Sequence, residues 1–252
     1  MPAELLLHAG SKEVVYEDLA RVDLPPATKT WRPIKHTTVL DTAVETLAEA
    51  GYAVVKQRLA LSNQGARFFA ALDLSTELST DGSVTLAVGL RNSMDKTFPL
   101  GFCAGSRVFC CDNLAFRADL MVKRKHTING AAHFSNDIAT AVMNLGSFKE
   151  AEAQRIIMMQ ETPLTDERAE SLMLRACLAK GIIAQRMLPQ VWQEWREPRH
   201  EVFQARTAWS LLNAFTATLR PLQERNPVDL ARRTMRLHGL LTLAGKPVSS
   251  TD

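Results

Sequence analysis

The spacing of hydrophobic residues changes twice along the chain. Up to about residue 36 the apolar positions follow no period, and Asp23-Leu24-Pro25-Pro26 and Trp31-Arg32-Pro33 interrupt any regular element. Residues 1–36 therefore read as an extended N-terminal arm, with Trp31 as its anchor in a hydrophobic groove. From Thr37 to Ala50 the period is helical: Leu40, Val44, Leu47 and Ala48 share a face, Thr37 or Thr38 can cap, and Gly51 ends the run. After Gly51 the period shortens. Tyr52 to Leu61 has strand character, Ser62-Asn63-Gln64-Gly65 is a turn, and Arg67 to Leu74 returns as the second arm of a hairpin. Thr80-Asp81-Gly82-Ser83 leads into Val84 to Arg91, where Val84, Leu86, Val88 and Leu90 alternate with smaller residues. Leu100 to Cys103 and Ser106 to Cys111 read as further short strands, divided at Ala104-Gly105.

From about Gly130 the pattern is helical nearly to the end. Phe134, Ile138, Ala141, Val142 and Leu145 recur on one face of a segment expected to run on through Gln160 despite Gly146. Thr165 caps another helix, with Leu172, Leu174, Ala176 and Leu178, and Leu188-Pro189 opens a short one with Val191, Trp192 and Trp195. Arg206 to Leu219 and Pro227 to Leu241 complete the series. The strands are joined by tight turns with no helix between them, which predicts an antiparallel sheet and excludes a parallel dinucleotide-binding fold. The expected fold is α+β: an N-terminal helix, a central antiparallel sheet of four to six strands, then a mainly helical half covering one face of the sheet. Residues 37–252 form a single domain on this reading, sheet-rich over 37–128 and helical over 129–245.

Composition narrows the function classes only a little. A chain of 252 residues, 46% apolar and 23% charged, can bury a sizeable core without disulfides or metal. Cys103, Cys110, Cys111 and Cys177 read as reduced thiols, Met1 to Gly10 lacks the basic region of a secretory signal, and no apolar run approaches a membrane span. A cytoplasmic protein is expected, with no membrane partner. The net charge of +3 does not identify a nucleic-acid binder, so the clustering of basic residues decides.

The most informative stretch contains Arg91-Asn92-Ser93-Met94-Asp95, Gly105-Ser106-Arg107-Val108, Cys111-Asp112-Asn113-Leu114 and Lys125-His126-Thr127. Together with Trp209-Ser210-Leu211-Leu212-Asn213-Ala214-Phe215-Thr216 these motifs make the chain, over residues 40 to 220, similar to the phage- and plasmid-associated proteins of the domain of unknown function 932 family. Met94 stands where the resemblance leads us to expect histidine, which weighs against a catalytic imidazole there. The association with mobile elements implies DNA maintenance, recombination or counter-defence, and no activity more specific than that.

Read physically, Asn92, Ser93, Asp95, Asp112 and Asn113 are short polar residues at strand ends. They serve either to fix turns or to form a polar rim with Arg91, Lys96 and Arg107 available to phosphates. Lys123-Arg124-Lys125 is the densest basic run, either a solvated loop or a phosphate-contacting edge, and Arg232, Arg233, Arg236 and His238 with Lys246 form a second cluster. Among the sheet phenylalanines, Phe98 before Pro99 is the one expected to be exposed and able to stack on a base. Cys103, Cys110, Cys111, His126 and His133 lack paired metal-ligand spacing, and the Gly239 to Lys246 segment fails as a phosphate-binding loop, so neither metal nor cofactor is expected. The leading expectation is a non-enzymatic, mobile-element-associated DNA-binding protein. It would prefer single strands, as a binding or annealing factor, through Arg91, Lys96, Phe98, Arg107, Lys123, Arg124 and Lys125. The architecture is loosely similar to that of single-strand annealing proteins, and a homo-oligomer is compatible with it. The alternatives are a metal-dependent nuclease or other phosphoryl-transfer hydrolase using Asp95 and Asp112, and a protein-interaction or counter-defence factor without catalysis.

Overall fold

The computed structural model describes residues 12–79, 84–108, 113–220 and 227–244, with Gly82 between the first two. Cys110, Cys111, Asp112 and Lys246 lie outside the described residues. Six strands form one antiparallel sheet in chain order: β1 (Lys12–Val14), β2 (Val54–Ser62), β3 (Arg67–Glu77), β4 (Val84–Ser93), β5 (Leu100–Val108) and β6 (Asn113–Arg124). Each strand pairs with its neighbours in sequence; short connections link β2 through β6, while residues 15–53 separate β1 from β2. Gly65 closes the β2–β3 turn with φ +89°, a left-handed conformation that favours glycine.

Eight helices accompany the sheet among the described residues. They are α1 (Tyr16–Ala20), α2 (His36–Glu49), α3 (Gly130–Met143), α4 (Leu145–Glu161), α5 (Asp166–Leu178), α6 (Leu188–Arg196), α7 (Ala208–Leu219) and α8 (Pro227–Ala244). The α+β class and the helical second half stand as expected. None of the described helices is long and apolar enough to cross a membrane.

The differences from the sequence reading are local and have identifiable causes. The N-terminal arm is extended at Lys12–Val14, which adds to the edge of β2, but it then turns into the short helix α1, whose start Asp18 caps by accepting from the Val15 N–H. Both elements are too short to show a period. The two strand fragments divided at Ala104-Gly105 are one strand, β5. The irregularity falls in its pairing with β6, where the register shifts between Cys103 and Gly105. The long helix expected through Gln160 breaks at Asn144 into α3 and α4, and Leu174 and Leu178 of α5 face solvent rather than the core.

One large apolar cluster holds the molecule together. It joins Phe68, Leu72, Leu74, Leu86, Val88, Leu90, Leu100 and Phe102 of the sheet to residues of every helix, among them Val39 and Leu47 of α2, Ile138 of α3, Trp195 of α6 and Phe215 of α7. Each such side chain contributes about 1.5–3 kcal/mol on burial. The opposite face of the sheet carries a separate small cluster of Ala60, Phe69, Ala71 and Ala87 with Phe98 against it. No described residue of a helix belongs to that second cluster.

Candidate nucleic-acid interface

Strand register decides which of the predicted contact residues come together. Across β3, β4, β5 and β6 the pairs Phe69–Arg91, Arg91–Gly101 and Gly101–Lys123 form one row. Every second residue faces the same way, so this row lies on the face away from the helices. Its centre is a glycine. A Cβ on Gly101 would lie 3.0 Å from Nε and 3.2 Å from Cγ of Arg91, so the Arg91 side chain rests across the space that the missing side chain leaves. The Arg91 guanidinium sits over the Phe98 ring at 5.4 Å, and the Phe98 ring lies 5.3 Å from that of Phe69. Burial holds the Arg91 pKa below its ordinary value although the group stays charged, and Lys123 at the other end of the row is exposed.

Small residues recur on this face of β2 to β5: Ala60, Ala71, Ala87, Gly89 and Gly105. Among them sits a buried ion pair, Arg58 to Asp73 at 3.5 Å, and the buried hydroxyl of Thr85, which has no hydrogen-bond partner among the described residues. The Cys103 thiol lies between the positive charges of Arg91 and Lys123, yet burial pushes its pKa up to about 12, so it is a protonated, unreactive group.

The β4–β5 turn presents Lys96. Ser93 and Thr97 hydroxyls, the Thr97 N–H, Arg67 Nε at 2.6 Å and Asn63 Nδ2 at 2.8 Å all donate to the Asp95 carboxylate. Burial alone would raise the Asp95 pKa, but these donors hold it well below the usual carboxylate range. The cage offsets the strain of Lys96, whose φ of +64° places it in the left-handed region at a cost of about 1–2 kcal/mol. The result lifts the Lys96 ammonium over the Trp31 ring at 4.8 Å. Trp31 is thus half-buried against Lys96 and near His126 rather than sunk in an apolar groove.

Asn92 has a different role from its neighbours. Its side-chain NH2 donates to the Ile34 carbonyl at 2.8 Å and to His36 Nδ1 at 2.9 Å, and its carbonyl oxygen accepts from His126 Nε2 at 2.7 Å. His36 Nε2 donates in turn to the Gly65 carbonyl at 2.8 Å. With Nδ1 accepting and Nε2 donating, His36 has to be neutral, whereas the His126 Nε2–H donates in either protonation state. Desolvation lowers the His36 pKa to about 4, with a smaller lowering from His126, against the raising effect of the Gly65 bond; burial lowers that of His126 too. The arm, strand β4 and the end of β6 are tied through this one amide. His36 was not among the residues singled out from the sequence; its place beside Asn92 depends on a contact between distant segments.

The predicted contact residues therefore divide. Arg91, Phe98 and Lys123 come together, and Lys96 and Lys125 flank them exposed at the same end of the sheet. Arg124 does not join them: its alternate strand position turns it to α3, where Nε donates to Asp137 at 2.6 Å. The expected run of adjacent phosphate contacts over Lys123, Arg124 and Lys125 is corrected accordingly. Arg107 pairs with Thr85 at the far end of β4 from Arg91, roughly 20 Å away at the rise of an extended strand. Of the second basic cluster, Arg233 bonds Asp229 and the Ile182 carbonyl, Arg236 reaches the Lys180 carbonyl, and His238 is buried against Arg155 of α4. Arg233 and Arg236 thus tie α8 to the segment that follows α5.

Residues 25–240 match the family described as Domain of unknown function (DUF932), and the chain belongs to that family. No curated protein matches the chain, and no solved structure does. The family motifs account for much of the geometry above. Asn92 and His126 make the buried tie, Ser93 and Asp95 build the turn, and Met94, where histidine was expected, is buried.

Proposed function

We propose that the chain is a DNA-associated protein that holds single-stranded DNA at the end of its sheet where Arg91, Phe98 and Lys123 meet. The observation that carries this reading is the row Arg91–Gly101–Lys123 with Phe98 beside it. Two cations about 10 Å apart across the sheet suit successive phosphates of a flexible strand, and a half-buried phenylalanine next to them offers a surface for a base. Lys96 and Lys125 extend the positive field at the same end. A single strand fits this arrangement better than a duplex, since stacking on Phe98 needs an unpaired base. Non-enzymatic binding is favoured over phosphoryl transfer because Asp95, the described member of the candidate metal-binding pair, already accepts from five groups.

Fluorescence anisotropy with labelled single-stranded and duplex DNA across a salt series tests the reading. The expected result is salt-sensitive binding that favours the single strand. In Arg91→Gln/Lys123→Gln affinity should fall more than tenfold, and the salt slope should flatten by roughly 1.4, at about 0.7 per phosphate contact. Wild-type affinity from that double variant would remove the site, and absence of binding at low salt would remove the function.

A further inference from the structure

A pocket lies on the helical side of the molecule, where α6 turns into α7. It encloses about 30 Å³, room for roughly two waters, and opens to solvent. Arg199, His200, Ser210, Asn213 and Arg220 line it together with Glu194. Its walls are firmly built. Thr207 caps α7 by accepting from the Ser210 N–H, and the Thr162 and Arg206 carbonyls accept from the Ala208 and Leu164 N–H groups at 2.9 Å each. Asp166 binds Arg196, Arg206 and the Trp195 indole N–H, fixing the start of the connection, while Phe203 is buried beneath it. A pocket held this way loses little freedom when it is filled.

The charges around it do not cancel. Glu194 accepts from Arg199 at 2.6 Å, which neutralises one guanidinium. Arg220 has no hydrogen bond or ion pair from its side chain to any described residue, and it faces the same space. His200 adds ring N–H capacity, and Ser210 and Asn213, each 3% exposed, supply a polar floor. A planar carboxylate is satisfied by one guanidinium fork. Donors drawn from three side chains, Arg199, His200 and Arg220, around one opening suit a tetrahedral oxyanion better than a carboxylate. We propose that this corner is a phosphate site, taking free phosphate or the terminal phosphate of a monoester, with Arg220 as its principal ligand. The proposal is independent of the DNA reading, since no residue is shared between the two sites.

Thermal unfolding of the full chain in chloride buffer, titrated with sodium phosphate at constant ionic strength, tests it alongside 31P line broadening. A saturable rise in Tm is expected. In Arg220→Gln half-saturation should move up tenfold or more, as loss of a charge-assisted contact implies. Glu194→Gln should move it down several-fold by releasing Arg199. If Arg220 only complements the carbonyl end of α7, its replacement lowers Tm equally with and without phosphate, and that result overturns the site. An unsaturable response in the wild-type chain, or weaker phosphate binding by Glu194→Gln, does the same. A 5′-mononucleotide and a 5′-phosphorylated oligonucleotide, each against its 5′-hydroxyl form, distinguish the sources. Preference for the phosphorylated form assigns an ester, and saturation by inorganic phosphate alone assigns the free ion.

Discussion

Along β4, Leu86, Val88 and Leu90 pack into the cluster shared with the helices, while Ala87, Gly89 and Arg91 between them face away from it. One strand thus serves two unlike surfaces. The first is filled with large aliphatic and aromatic groups whose burial drives folding. The second carries alanine and glycine at many positions of β2 to β5, and the Arg91 side chain lies across one of those glycines. The contrast shows that the small residues are not filler: their lack of volume gives Arg91 its place across Gly101. The two surfaces should therefore respond differently to substitution.

The sharpest break is on the filled face. Phe102→Ala removes a side chain that is 1% exposed, and chemical denaturation should show a loss of about 3–5 kcal/mol. DNA affinity, measured at a temperature where the variant is folded, should stay within a factor of two or so if the faces are independent. A large fall in affinity would mean that they are coupled through the sheet.

Acid acts at the tie between the two surfaces. The folded chain holds His36 neutral down to a pKa of about 4, against about 6.5 when unfolded. The unfolded state therefore takes up the proton first. The contribution is fully present above pH 6.5 and falls away between 6.5 and 4, by roughly 2 kcal/mol at pH 5. Urea melts at pH 7.5 and 5 should show this loss, and His36→Gln should reduce the pH dependence to the part that the lowered pKa of His126 supplies. A pH-independent midpoint in the wild-type chain would contradict the neutral-imidazole network.

The smallest effect on stability belongs to the bare face. Gly101→Ala puts a methyl where Arg91 lies, and a flexible side chain can shift by the few tenths of an ångström needed. Stability should change by less than about 1 kcal/mol. Single-strand affinity should drop several-fold with no charge removed, and unchanged affinity would show that the placement of Arg91 is immaterial.

Much of the fold is legible in the sequence, because hydrophobic period and turn residues act locally. The alternation of Val84, Leu86, Val88 and Leu90 marks β4, and Thr165 with Leu172 and Ala176 marks α5, before any tertiary contact is known. The site is only partly legible. Arg91 is visible as a basic residue at a strand end and Lys123 as part of a basic run, but their shared row depends on β6 and on two successive registers that no local signal sets. Arg124 shows the same limit from the other side. A dense basic run suggests one surface, yet strand alternation sends its middle member to Asp137. The break at Asn144 was missed because Phe134, Ile138, Ala141, Val142 and Leu145 keep a helical period across it.

The Asn92 amide also bears on the order in which the chain assembles. Each hairpin of the sheet joins neighbouring segments, so its loops close early and at small entropic expense. Bringing Ile34, Asn92 and His126 to one point closes two much longer loops, and it becomes possible only after β4 and β6 are in register. The amide thus penalises misregister: a sheet paired one step off would leave the Asn92 side chain and its partners buried without hydrogen bonds.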